Sequence, residues 1–339
     1  MTRRTTPTTI GALCLLTGLA SCERYLLGRD AVDDRNTVFE YLWSDLHARY
    51  AYFELKEIDW PAVGDAYRPR VRDDLTDLEL FDVLADLLFE LDDGHVNLTS
   101  SFNRSRNWDF HQDYPLDYNQ GVIDRSYLGR DFWITGPVRS QIVDGALYLN
   151  YRTFAEGLSA AQVDALMMRA DGLRGVVVDV RSNGGGSLDN AVRLAAAFTD
   201  APYVYGQVRI KDGSCADCFS SWTDLEVPSR AGPRFDGPVV VLIDRASYST
   251  TTYFAEMMRQ NPNAVLVGSP TGGGGGTPAY GELPNGWMYR FSSTQAVNVD
   301  GEHLEFGVPV DQQVHLDPND ERDGVDTIIE HALTLLDPE

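Results

Sequence analysis

Gly175-Val176-Val177-Val178-Asp179-Val180-Arg181-Ser182-Asn183-Gly184-Gly185-Gly186 is a run of β-branched residues that ends in three glycines. Consecutive valines suit a strand covered on both faces, and glycine lets the backbone turn sharply with its N–H groups bare. Residues 188–198 then read as a helix. Strand, turn and helix in that order build an α/β layer, and such layers put their sites at the carboxyl ends of buried strands. The tract lacks the G-x-x-x-x-G-K-[ST] pattern, so it is no P-loop.

The same reading extends outward from this stretch. Residues 146–151 and 238–243 read as strands, the second through Val239-Val240-Val241-Leu242-Ile243. Residues 159–170, with a serine cap, and 249–259 read as helices. Strands at 265–267 and 287–291 and a last helix near 326–336 complete an α/β domain over residues 142–339. Upstream, residues 36–99 carry helical spacing in Phe39, Leu42, Trp43, Leu46, Leu80, Leu84, Leu87 and Leu88. Thr37 with Glu40 and Thr76 with Glu79 match the capping-box pattern, and Asp59-Trp60-Pro61 starts a shorter helix. A helical N-terminal domain is therefore expected, closing at Leu91-Asp92-Asp93-Gly94-His95. Residues 100–141 are polar, aromatic and weakly periodic. They fall short of the roughly 50 residues of an independent domain, so no separate peptide-binding module fits and the segment is a connector.

Composition narrows the function. The chain has 339 residues, 51 Asp+Glu against 28 Lys+Arg, and a formal net charge of -23, which repels phosphate backbones and excludes a general nucleic-acid role. Arg3 and Arg4, an apolar stretch over residues 10–19 and the small residues that follow have the layout of a signal peptide at 1–21. Leu19-Ala20-Ser21-Cys22 resembles the bacterial lipobox. This predicts acylation of Cys22, a lipid-anchored linker at 22–35 and a periplasm-facing lipoprotein of the cell envelope. Glu23 does not look like an inner-membrane retention signal and points to the outer membrane. Cys215 and Cys218 are the remaining pair in the folded part. With no His or Cys near them they make no tetrahedral metal site, and a local disulfide or two free thiols are the alternatives.

Two further features lie beside the glycine turn in this reading. Ile243-Asp244-Arg245-Ala246-Ser247-Tyr248-Ser249-Thr250 is a strand that breaks and restarts as helix. A serine at such a junction exposes its Oγ while the next N–H points into the same space, although Ser247 and Ser249 could equally serve as helix caps. His95 stands in a tight turn after the last N-terminal helix, where a surface histidine is the plain alternative.

Taken in order, five motifs resemble the C-terminal-processing and tricorn-core serine peptidases, relatives of the interphotoreceptor retinoid-binding modules. They are Leu91-Asp92-Asp93-Gly94-His95, Asp179-x-Arg181-x-Asn183-Gly184-Gly185-Gly186, Ser247-Tyr248-Ser249, Val267-Gly268-x-Pro270-Thr271 with its glycines, and Glu305-Phe306-Gly307-Val308-Pro309-x-Asp311. The resemblance implies a crotonase/ClpP-like layered α/β catalytic domain behind the helical unit, and peptide or unfolded-protein substrates cleaved without metal or cofactor. It implies Ser249 as nucleophile, with the N–H groups of Gly185 and Thr250 as the oxyanion hole. The processing proteases place a lysine near the glycine tract, but this chain reads Thr271-Gly272-Gly273-Gly274-Gly275 there. Its two lysines, Lys56 and Lys211, lie elsewhere. The tricorn-like branch uses a histidine from the N-terminal unit, which matches His95, and imidazole suits a neutral-pH base. Glu305 is the expected orienting acid, with Glu302 as rival, and Thr252 stands where the processing proteases carry glutamate. Glycines 272–276 read as a mobile flap or as a slack connector. Residues 108–114 and 223–228 are candidates to line the cleft. The rival functions are a decayed family member that binds a peptide or apolar ligand, and a non-peptide hydrolase.

Overall fold

A computed structural model of the chain describes residues 34–337 except 214 and 216. The expected signal segment at 1–21 and the Cys22 acylation site lie outside the described residues. Three helices open the described part: α1 (Arg35–Arg49), α2 (Trp60–Tyr67) and α3 (Asp77–Phe89). The Thr76–Glu79 capping box forms as the spacing predicts. The other box does not. Asp34 caps α1 instead, accepting from the N–H and the hydroxyl of Thr37 at 2.9 and 2.7 Å. A carboxylate beats a hydroxyl for the orphan N–H groups and the partial positive charge of a helix start, so the cap moves three residues upstream.

The apolar faces of α1 and α3 close on strand β1 (Asn97–Thr99). That core is not filled by the N-terminal segment alone. Leu283, Trp287, Tyr289 and Phe291 come from far downstream to complete it, so the helical unit is finished by a distant β-hairpin.

The chain continues as β2 (Trp133–Thr135), β3 (Val138–Val143), β4 (Ala146–Tyr151), α4 (Ala160–Ala170), β5 (Gly175–Asp179), α5 (Leu188–Ala195), β6 (Tyr203–Ile210) and β7 (Thr223–Val227). Then come β8 (Val239–Ile243), α6 (Thr250–Arg259), β9 (Ala264–Gly268), β10 (Pro278–Glu282), β11 (Met288–Ser292), β12 (Thr294–Asn298), β13 (Gln312–Gln313) and α7 (Thr327–Leu335). Seven strands form one sheet in the order β13-β9-β8-β5-β4-β3-β2, parallel from β13 to β4 and antiparallel beyond. The sheet thus starts inside the segment read as a connector. β3 turns Val138 and Ser140 inward, and a buried serine hides the alternation that would have marked the strand.

β5 and β8 divide their side chains between two cores. Val176, Val178, Val239 and Val241 pack towards α4, α5 and α6, whereas Val177, Val240 and Leu242 pack towards α7. Each fully buried side chain contributes about 1.5–3 kcal/mol, and burial on both sides is why these strands read as unbroken apolar runs. Two three-stranded antiparallel sheets, β1-β11-β10 and β12-β6-β7, flank the main one. Cys215 and Cys218 are joined as a disulfide between β6 and β7. Among the described residues no helix is long and apolar enough to cross a membrane.

Candidate active site

Parallel pairing of β4, β5 and β8 brings their carboxyl ends to one edge of the sheet, and the chemistry-bearing turns meet there. The turn after β5 is anchored from below. Arg181 is fully buried and forks onto Asp179 (Nε–Oδ1 2.9 Å, Nη2–Oδ2 2.7 Å) and onto Asp326, the N-cap of α7 (3.0 and 3.1 Å). Asp244, at the end of β8, accepts from the N–H groups of Ser182 and Ser247, both at 2.8 Å, and so ties the two turns together. Ser247 spends its hydroxyl on Val180 O and Asp244, which makes it structural.

Ser249 is different. Its φ of 59° and ψ of −124° are a conformation that L residues rarely adopt, and its side chain makes no cap hydrogen bond to α6. The cap reading of Ser249 is thereby set aside. Such a strained strand-to-helix elbow thrusts the hydroxyl out of the backbone plane. The elbow is held by Gly273 O, which accepts from Ser249 N–H at 2.8 Å, and by Asn183 O, which accepts from Tyr248 N–H at 3.1 Å. Gly185 must be glycine here. Its φ is 96°, and a Cβ on it would stand 2.9 Å from both Ser249 Cβ and Thr250 N.

His95 reaches the same point from the N-terminal unit, with its Nε2 2.9 Å from Ser249 Oγ. The residue is only 3% exposed. Its N–H donates to Asp93 Oδ1 at 2.8 Å, its carbonyl accepts from Arg290 Nε at 2.8 Å, and its ring rests on Tyr248, which stacks on Phe110. Gly94 allows this close approach, since a Cβ there would lie 2.8 Å from the Tyr248 hydroxyl. Burial lowers the His95 pKa to about 4, Asp93 pulling it up and Arg290 and Lys56 pushing it further down. The ring is therefore neutral over the physiological range. If Nε2 accepts the serine proton, Nδ1 carries the ring hydrogen, and Nδ1 is buried without a hydrogen-bond partner.

The expected third group stands elsewhere. Glu305 does not touch the His95 ring; its carboxylate meets Lys56 Nζ at 2.8 Å and accepts from Gly275 N–H at 3.1 Å. The physical reason is the buried ammonium, a stronger hydrogen-bond donor to the Glu305 carboxyl oxygen than a neutral imidazole N–H. Glu302 is mostly exposed and bonds Asn298. Asp93, Lys56 and Glu305 form one buried cluster of two acids and one base. Burial works against both the Asp93 carboxylate and the Lys56 ammonium, but mutual attraction outweighs it, so Asp93 is lowered and Lys56 raised. Burial and the Asp93 charge push Glu305 up to about 8, against Lys56. With one cation between two acids, Asp93 is the anion and Glu305 keeps its proton at neutral pH.

The remaining site residues fall in place with two differences. Among the described residues no protein group engages Thr250 N–H, whereas Gly185 N–H donates to Asn183 Oδ1 at 2.9 Å. Glycines 272–276 form neither a flap nor a slack connector. All are buried, Gly272 N–H and Gly274 N–H are bonded, and Cβ atoms on Gly273 and Gly275 would run into the Glu305 backbone at 2.0 and 2.6 Å. Thr252, in place of a glutamate, bonds Gly273 O at 2.7 Å and so braces the elbow. Trp108, Phe110 and His111 line a cleft of about 750 Å³ in front of Ser249, while Thr223–Val227 is an edge strand of a flanking sheet. Sequence reasoning missed Lys56, Asp93 and Arg290. Only Asp93 left a signal, standing inside the quoted turn.

Residues 145–314 match peptidase family S41, and residues 31–89 match the tricorn protease C1 domain. The chain is 25% identical over 186 residues to the carboxy-terminal processing protease CtpA of Bacillus subtilis, which is 54% of this chain and 38% of that protein. To a CtpA-like serine protease of Staphylococcus haemolyticus it is 26% identical over 148 residues, 43% of this chain and 28% of that protein. The chain thus spans 28–38% of the length of these curated relatives. Over nearly its full length it is similar to the crystal structure of a candidate peptidase from Parabacteroides merdae, at 36% identity and a TM-score of 0.86, with 90% of this chain and 97% of that chain covered. With a family match over half of the residues and a solved structure 36% identical over nearly the full length, the chain belongs to peptidase family S41.

Proposed function

We propose that the protein is a serine endopeptidase acting on peptides or unfolded protein segments, and the observation that carries this is the 2.9 Å contact between His95 Nε2 and Ser249 Oγ at a strained elbow. Ser249 Oγ attacks the substrate carbonyl while its proton passes to His95 Nε2. The oxyanion that forms is met by Thr250 N–H and by Gly185 N–H, which exchanges Asn183 Oδ1 for the developing charge. His95 then gives its proton to the leaving amine. Water, deprotonated by the same ring, hydrolyses the acyl-enzyme. Asp93 stabilises the transient imidazolium through space, and Glu305 acts at one remove, by holding Lys56 beside it. The assembled pair favours this reading over a ligand-binding protein with a decayed site.

Wild type should label with a fluorophosphonate at Ser249 and digest unfolded casein, and Ser249→Ala should do neither. Equal turnover by the two proteins would overturn the assignment. We also infer export and acylation at Cys22, supported by the basic start and by Leu19-Ala20-Ser21-Cys22. Cys22→Ser should abolish radiolabelled palmitate incorporation and release the protein from the membrane fraction. Unchanged incorporation would refute the site.

A further inference from the structure

A second cavity of about 470 Å³ lies beside the cleft in front of Ser249, and the two share Tyr280 and Arg290 as walls. Among the described residues no Asp or Glu lines either space, in a chain with 51 acids. Two guanidiniums do. Arg290 Nη2 and Arg104 Nη2 both donate to the side-chain oxygen of Asn97, at 2.8 and 3.0 Å. Asn97 is itself buried and strapped to Val96 O at 2.7 Å, so one fixed acceptor draws two like charges together.

Neither arginine has a carboxylate partner within ion-pair distance among the described residues, although Arg49, Arg68, Arg70, Arg139, Arg174 and Arg181 all do. Arg290 Nη1, and Nε and Nη1 of Arg104, donate to no protein group among the described residues. Two clustered cations with spare N–H groups, walled by no acid, make a local positive field in a strongly negative protein. Guanidinium forks match a carboxylate in charge and in geometry. Arg290 also holds the carbonyl of His95, the residue whose ring touches Ser249, which puts this field beside the reacting pair.

We propose that Arg104 and Arg290 form a carboxylate-binding subsite of the peptidase cleft, selecting substrates that present an acidic group beside the cleaved bond. The inference rests on the peptidase reading for its meaning but is tested by binding, so the two can fail separately. The carboxylate has two sources, an Asp or Glu side chain or a free chain end. Charge-assisted hydrogen bonds contribute about 1.5–3 kcal/mol each, which is roughly tenfold to a hundredfold in affinity.

The experiment uses the Ser249→Ala protein, which holds peptides without cutting them, and fluorescein-labelled peptides read by anisotropy. One pair differs only by internal Glu against Gln, and a second only by a terminal acid against a terminal amide. The carboxylate member of at least one pair should bind about ten- to a hundredfold tighter, and which pair discriminates identifies the source. Adding Arg104→Gln should collapse that ratio towards one, while Arg104→Lys, which keeps charge but loses the fork, should recover part of it. Arg104 is exposed, and a melting curve for each variant checks that the fold is intact. Equal affinities within both pairs would overturn the subsite, as would a preference that survives Arg104→Gln in a folded protein. Loss of wild-type casein cleavage with the preference intact would instead sink the peptidase reading and leave the subsite standing.

Discussion

The burial of His95 makes a quantitative demand on the pH dependence of the proposed peptidase activity. An ordinary imidazole has a pKa near 6.5, and here burial takes it to about 4. At about 1.4 kcal/mol per unit, charging the folded-state ring costs about 3 kcal/mol more than charging it in the unfolded chain. The sign follows from proton counting. Between pH 6.5 and about 4 the unfolded chain holds a proton on this residue and the folded chain does not, so the contribution is fully present above 6.5 and is lost as the pH falls to about 4. Two measurements read the same quantity. The acid limb of kcat/KM on a fluorogenic peptide reports the free-enzyme base and should have its midpoint near 4. Urea unfolding of wild type against His95→Gln should diverge by about 3 kcal/mol from pH 7 to pH 4, wild type losing more. Asp93→Asn sharpens the test, because Asp93 is the group that pulls the ring's pKa up. Its removal should shift the limb further into acid and cut kcat by about ten- to a thousandfold, the range of an opposite charge at close quarters. The fold should tolerate this change, since Glu305 can release its proton and pair with Lys56 in place of Asp93. An acid limb at pH 6–7 in wild type would refute the reasoning, for it would mean that the ring is solvated.

Four other changes test the framework. Lys56→Met strips the cation from beside the buried Asp93 carboxylate and should cost about 3–5 kcal/mol in urea unfolding, partly restored by adding Asp93→Asn. Glu305→Gln alone should be mild at acidic pH. Wild type should lose stability relative to it by about 1.4 kcal/mol per unit as the pH rises from 4.5 through about 8, because the raised pKa means the folded state alone holds that proton in this window. Gly185→Ala should abolish casein cleavage, since the added methyl would press on Ser249 Cβ and Thr250 N, and a retained kcat would show that the turn is not where the oxyanion forms. Arg181→Met leaves Asp179 and Asp326 buried without a cation and should destabilise by about 3–5 kcal/mol, seen as a lower urea midpoint at pH 7.

What the sequence discloses tracks the range of the forces involved. β5 and β8 are legible because burial on two faces writes itself into consecutive residues, and Ser249 is legible because strand, break and helix are contiguous. Thr76 and Ser159 bond residues three positions on, so their caps can be read directly. Contacts across the chain leave no such trace. Lys56 meets Glu305, and Arg290 meets His95, only through tertiary packing, and nothing local marks either residue. That is why the acid matched by motif, Glu305, proved to belong to Lys56. The glycine tract misleads for a related reason: five glycines suggest slack when the neighbours are unknown, whereas the packing around Glu305 and Tyr248 demands the absence of Cβ.

The two halves of the proposed catalytic pair belong to different cores, and this shapes what holds the site together. His95 follows a helical unit packed around Phe39, Leu84 and Trp287, while Ser249 rises from the sheet packed around Val178, Val241 and Phe254. Polar ties cross between them near the site. Lys56 of the first unit grips Glu305, which lies between the second core's Leu304 and Val308. The Arg290 strand is shared, because β11 pairs with β1 while its neighbour β12 runs into the sheet with β6. Apolar packing is non-directional and would tolerate a shift of an ångström between the units, but a 2.8 Å Lys56–Glu305 hydrogen bond and a 2.8 Å bond to the His95 carbonyl would not. The distance between base and nucleophile is therefore set by directional bonds placed behind the site. Loosening either tie should raise the barrier to acyl transfer even where the helices and the sheet remain folded.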